Sequence, residues 1–114
     1  MSNSFEIALS LDIPGKGSPT GCEIFADALY DLLTSAGIRA RVIGYHWRGT
    51  AGDILGIEEN HAIVLYNDED GHDMAMDSVS ENPRWLPKNL FDSEAAQWFA
   101  GDDREVSNIV TLKP

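Results

Sequence analysis

One ordering in this chain limits its fold more than any other feature: a single well-punctuated helix comes first, and strand-like segments follow it. The helix is carried by PTGCEIFADALYDLLTSAGI, Pro19 to Ile38. Ahead of it, PGKGSP (Pro14 to Pro19) is a loop of helix breakers. Thr20 and Glu23 have the spacing of a capping box, and Pro19 and Ile24 that of a hydrophobic staple, so a helix is expected over Gly21 to Ala36. Gly37 stands where a left-handed residue ends a helix, with Ile38 placed to fold back on Leu33. At about 100° per residue Cys22, Phe25, Leu29, Leu32, Leu33 and Ala36 share one stripe, and Asp27, Tyr30, Asp31 and Thr34 lie away from it. Cys22 therefore belongs to the first turn, on the side to be buried.

The segments after Gly37 are patterned as strands. ARVIGYHW (Ala40 to Trp47) and HAIVLY (His61 to Tyr66) are rich in β-branched and aromatic residues. HDMAMD (His72 to Asp77) follows the turn NDEDG, and Glu105 to Leu112 reads as a closing strand. Phe5 to Leu11 is a further strand candidate. A short helix is expected over Ser93 to Ala100, with Asp92 as N-cap. Arg48 to Asn60 contains three glycines and no strong periodicity. It reads as a loop or lid bordering a cleft beside His61. One long helix followed by a meander of strands gives an α+β fold in which a cysteine-bearing helix packs on an antiparallel sheet. With 114 residues, a single domain spanning 1–114 is expected.

Charge narrows the partners. Eight basic residues stand against 19 acidic ones, a net of −11. Such a chain repels nucleic-acid phosphate and anionic membrane surfaces, and it attracts basic partners. No apolar run is long enough to cross a membrane. MSNSFEIALSLDIPGKG lacks the basic and long apolar regions of a secretory signal, so a cytoplasmic setting is expected. A single cysteine allows neither a disulfide framework nor a multi-cysteine zinc site. His46 and His72 share no metal-ligand spacing with His61. NDEDG aligned on Gly71 puts Tyr66 where a calcium loop needs an oxygen. GTAGDILG fits neither a phosphate-binding nor a dinucleotide fingerprint. No metal and no cofactor are expected. Trp47 and Trp85 read as packing residues, Trp47 being the better candidate for a site edge.

What, then, is the lone cysteine for? If Tyr66 pairs with His72 across the NDEDG turn, His61 faces Asp77 in the hairpin, and antiparallel partners lie close on one side of a sheet. Ile63 and Leu65 share the His61 face and mark it as covered. If the cysteine helix covers it, Cys22 meets His61. The three then suit acyl-transfer chemistry. A helix N-terminus and an imidazolium favour thiolate. His61 takes the thiol proton and later delivers it to a leaving amine. Asp77 orients the ring, and first-turn N–H groups stabilise an oxyanion. Each residue alone has a structural reading: Cys22 as a small buried hydrophobe, His61 as a core histidine, Asp77 as a turn residue beside Ser78 and Ser80.

GCEIFADALYDLLTSAGIRARVIGY resembles the cysteine-helix segment of transglutaminase-like proteins, and NHAIVLYNDEDGHDMAMDSVS resembles their following histidine strand, turn and aspartate strand. The likeness spans about Gly21 to Ser80, with 39 residues from Cys22 to His61 and 16 from His61 to Asp77. Differences stand at Glu23, Arg39 and Ile63, and no glutamine precedes Cys22. The resemblance implies a papain-like core and cysteine protease, amidase or transglutaminase-like chemistry on a peptide, isopeptide or side-chain amide. It carries over Cys22 as nucleophile, His61 as base and Asp77 as orienting acid. The alternative is a catalytically inactive acidic interaction module on the same fold.

Overall fold

The hinge of the architecture is a continuous buried run, Ala62–Tyr66, in the middle of the second strand. A strand with one wet face alternates; this one is covered on both faces, so helices must pack on each side of the sheet. The computed structural model describes residues 3–114; the first two positions of the expected 1–114 domain lie outside the described residues. The elements are α1 (Ser4–Ala8), α2 (Cys22–Ser35), β1 (Ala40–Gly49), a 3-10 turn (Gly52–Ile54), β2 (Glu58–Asn67), β3 (Asp73–Met76), β4 (Arg84–Trp85), α3 (Asp92–Ala100) and β5 (Arg104–Lys113). The strands form one antiparallel sheet in the order β4-β3-β2-β1-β5. The α+β class and the antiparallel sheet thus stand as expected. Among the described residues, no helix is long and apolar enough to cross a membrane.

Helix α2 ends as its sequence dictates. Ile38 N–H reaches Leu33 O at 2.9 Å and Gly37 N–H reaches Thr34 O at 3.0 Å, the paired bonds of a Schellman motif, with Gly37 at φ 82°. Its beginning differs from expectation. The N-cap is Gly21, which has no side chain to cap with, and Thr20, one residue further out, has its Oγ1 3.3 Å from Ser18 Oγ. Phe25, Ala26, Leu29 and Leu33 form the buried stripe, while Leu32 and Ala36 are exposed.

Several other expectations are corrected. Phe5 to Leu11 is not a strand: Asn3 caps a helical turn by accepting from Glu6 N–H, and Ser4 and Ala8 bury at helical spacing. Phe91, not Asp92, is the N-cap of α3. The Glu94 carboxylate accepts from Phe91 N–H at 2.9 Å, and Asp92 turns to Arg41 at 2.8 Å. Arg48, Gly49 and Glu58–Asn60 belong to strands, so only residues 50–57 connect β1 to β2. That connection is tightly bonded: Gly49 N–H to Ile57 O is 2.7 Å, and Thr50 N–H to Asp103 O is 2.8 Å. Trp85 is exposed and stacks on His72, with centroids 4.1 Å apart.

The β2–β3 hairpin also pairs differently. Tyr66 faces Met74, not His72, and Val64 faces Met76. The turn is shorter than NDEDG: Asp68 N–H bonds His72 O at 3.0 Å, and Gly71, at φ 84°, closes a three-residue loop. Asp68 Oδ1 accepts from Asp70 N–H and His72 N–H, which holds this tighter loop. The slip is two residues, so every side chain keeps its face.

Which helix covers which face is the larger correction. Helix α2, with α1, packs on Val42, Ala62, Val64, Tyr66, Met74 and Met76. The face of His61, Ile63 and Leu65 is covered by α3, through Ala95, Ala96 and Phe99. The cysteine helix therefore lies on the side of the sheet opposite to the one expected.

Candidate active site at the open end of the sheet

Strand β3 leaves β2 after the Val64–Met76 pair. The chain then turns sharply through Asp77–Ser80, and this turn is where the Asp77 side chain is built in. Its Oδ1 accepts from Ser80 Oγ at 2.6 Å and from Val79 N–H at 3.2 Å. Its Oδ2 lies 2.7 Å from His61 Nε2. The carboxylate is thus both a turn residue and the partner of an imidazole. Its side chain is 7% exposed and that of His61 is 17% exposed. Burial, the largest influence on the Asp77 carboxyl, acts to raise its pKa. The hydrogen bonds from His61 and Ser80, with the His61 charge, outweigh burial and hold it below the ordinary 3.8.

An ionised carboxylate only accepts, so the partner assigns the ring hydrogen to His61 Nε2. In the neutral ring Nδ1 then keeps a lone pair and is the atom able to act as base. The ring is steadied by Tyr45, its direct partner in the β1–β2 register. The two rings meet edge-on, with centroids 5.7 Å apart and planes at 72°.

Cys22 opens α2, is half-buried, and packs against the cluster that holds Phe25. The loop before it is tied to the turn that carries Asp77: Gly17 N–H donates to Ser78 O at 2.6 Å, and Ser78 Oγ donates to Ser18 O at 2.8 Å. In the cleft beside His61 and Asp77, burial first, then the Asp77 carboxylate, push the Tyr45 phenol far above its ordinary range, with Arg104 opposing. Cys22 is not among the residues that line this cleft. Among the described residues, hydrogen bonds join His61 to Asp77 and none joins His61 to Cys22.

The cleft has a volume of about 330 Å³. It is lined by Tyr45, Trp47 and His61 of the sheet, by Asp77, Val79 and Ser80 of the turn after β3, and by Arg84, Phe99 and Arg104. Trp47 is the site-edge residue expected from the sequence. Of the span expected as a lid, Glu59 lines the cleft but residues 50–57 do not. Sequence reading missed Tyr45, Ser80, Arg84, Phe99 and Arg104. Two of these had a signal: Tyr45 through strand pairing with His61, and Ser80 through the local Asp-x-x-Ser turn. The other three arrive only through the docking of α3 and its flanking segments.

Lys16 ties α1 to the turn that carries Asp77. Its Nζ donates to Ala8 O at 3.4 Å and Ser80 O at 3.3 Å. Desolvation lowers the pKa of this ammonium and Asp77 partly restores it, leaving it below the ordinary lysine value. Compared with family models, with curated proteins and with solved structures, the chain matches none.

Proposed function

We propose that this chain is a small cysteine-dependent amide hydrolase or acyl transferase on a transglutaminase-like, papain-like core. Cys22 is the nucleophile, His61 the general base and Asp77 the orienting carboxylate. The observation that carries the reading is the buried 2.7 Å His61–Asp77 contact, which leaves Nδ1 of the ring as the base. His61 Nδ1 removes the thiol proton, and the Cys22 sulfur attacks the carbonyl carbon of a peptide, isopeptide or side-chain amide. The first-turn N–H groups of α2 have no intrahelical acceptor and no side-chain cap, so they suit the oxyanion that forms. The imidazolium returns its proton to the departing amine, leaving a thioester. Water or an acceptor amine then attacks, again with His61 as base, and the thiol is restored. Asp77 stays ionised throughout and stabilises the imidazolium.

The test is labelling of the full chain with a thiol-directed acyl electrophile, read by mass spectrometry. The parent should acquire one adduct at Cys22. His61→Ala should slow this by about a hundredfold or more, the scale of a positioned acid–base group. Equal rates in parent and variant would sink the mechanism.

One observation favours a second reading, an acidic interaction module without catalysis: Cys22 packs against the apolar core and makes no hydrogen bond to His61. A thiol inert in the native protein and reactive only after unfolding would select it.

A further inference from the structure

The cleft sets two cations against the charge of the whole chain. The protein carries a net of −11 and only eight basic residues, yet Arg84 and Arg104 both line the cleft. Arg41, Arg48 and Lys113 sit against carboxylates of Asp92, Glu105 and Asp27, and Arg104 meets Asp103 through one nitrogen only.

The two guanidinium groups are held in similar ways. Arg84 Nη1 donates to Phe99 O at 3.1 Å, and Arg104 Nη1 donates to Ala100 O at 3.2 Å. Both thereby satisfy carbonyls at the C-terminus of α3, where cations are favoured. Each also lies against aromatic rings: Arg84 Cζ is 4.7 Å from the Trp98 ring centroid and 5.0 Å from that of Phe99, and Arg104 Cζ is 4.5 Å from that of Trp47. A guanidinium that stacks on an aromatic ring can still donate from its edge. A guanidinium has five N–H donors. The recorded bonds engage one nitrogen of each, that of Arg104 also reaching Asp103 Oδ1 at 3.2 Å. Donors therefore remain on both. Of the carboxylates in the lining, Asp77 is already engaged by His61 and Ser80, and Glu59 lies at the β2 side.

We propose that Arg84 and Arg104 are a carboxylate-recognition wall, and that the cleft takes peptides or amides bearing a carboxylate beside the amide presented to His61. The amide part of this assignment rests on the acyl-transfer reading; the carboxylate part stands on the arginines alone. The net charge favours basic partners at long range, but at contact distance the cleft selects the opposite sign. The carboxylate is either an acidic side chain or a free α-carboxylate.

Three near-isosteric probes separate these cases: N-acetyl-glutamic α-amide, N-acetyl-glutamine and N-acetyl-glutamine amide. The first carries a side-chain carboxylate, the second an α-carboxylate, and the third is neutral. Binding to the ¹⁵N-labelled full chain is read from the Arg Nε–H and Trp47 indole N–H resonances. At least one carboxylate probe should bind about tenfold more tightly than the neutral one, and the tighter of the two names the source. Arg84→Gln and Arg104→Gln should each reduce that preference, with circular dichroism confirming the fold; a variant that fails to fold is replaced by the other. Equal affinity for all three probes, or a preference unchanged in the folded variants, overturns the proposal. Acyl labelling of Cys22 is scored in the same samples. Carboxylate preference with an inert Cys22 keeps the wall and removes the acyl-transfer reading; a reactive Cys22 without preference does the reverse.

Discussion

His61 and Asp77 meet at 2.7 Å across a diagonal of the sheet edge, not across a strand pair. Continued beyond Met76, the observed register would set Asp77 opposite Ile63. The sharp turn held by Ser80 swings the carboxylate back to the imidazole instead. The contact is thus local architecture on one side and strand pairing on the other, and removing Asp77 should disturb both. Asp77→Ala is expected to cost about 3 kcal/mol, because it strips a buried ring nitrogen and a turn of their acceptor. Asp77→Asn should cost less, since its amide oxygen still accepts. Urea denaturation of the two variants checks the order; equal losses would mean that the acceptor is not what matters.

The same carboxyl sets an acid limit. Its pKa is held below 3.8 in the folded protein, so the unfolded chain binds the proton more readily. Its stabilising contribution is complete above that ordinary value and is lost as pH falls through the lower folded one. Between pH 5 and 2 the parent should lose more stability than Asp77→Asn. Parallel losses would remove Asp77 from the acid response.

His46 should behave in the opposite sense. Hydrogen bonds to Glu58, first, and to Asn60 hold its imidazole above the ordinary 6.5, with the Glu58 charge acting in the same direction. Its contribution is therefore complete below 6.5 and is lost as pH rises through the folded value. Ring resonances followed by NMR should titrate above 6.5 in the parent and move down in Glu58→Gln. A midpoint that Glu58→Gln leaves in place would assign the effect elsewhere.

The hairpin tip between β1 and β2 depends on one missing side chain. A Cβ at Gly49 would stand 1.7 Å from Ile54 O, an impossible contact with backbone. Gly49→Ala should cost about 3 kcal/mol and lower Tm by about 10 °C or more. At Gly52, φ is +63° and nothing lies within 4 Å of a built Cβ, so Gly52→Ala should cost only about 1 kcal/mol of backbone strain. Similar melting points for the two variants would show that the tip relaxes around a methyl group.

Tyr45 separates ring from hydroxyl. If its edge-on contact positions the imidazole, Tyr45→Phe should keep Cys22 labelling by an acyl electrophile within a few-fold of the parent. Tyr45→Ala should cost about 3–5 kcal/mol of stability and lose labelling even where the fold survives. A large loss in Tyr45→Phe would assign the role to the phenol instead.

Local rules alone settled much of this protein. The helix over Cys22–Ser35 and its end at Gly37 follow from apolar period and cap chemistry, because both depend on residues a few positions apart. That His61 and Asp77 share a face follows from strand alternation, which survives a two-residue slip of the hairpin. Tertiary structure decided the rest. The slip itself came from Asp68 and Gly71 favouring a three-residue loop. Only the His61 face was expected to be covered; the run Ala62–Tyr66 is buried on both, and because burial is non-directional nothing in the run says which helix takes which. Packing put α2 on the Val64 face and α3 on the Ile63 face. That choice removed the direct covering of His61 by the cysteine helix and brought Arg84, Phe99 and Arg104, distant in sequence, to the wall of the cleft.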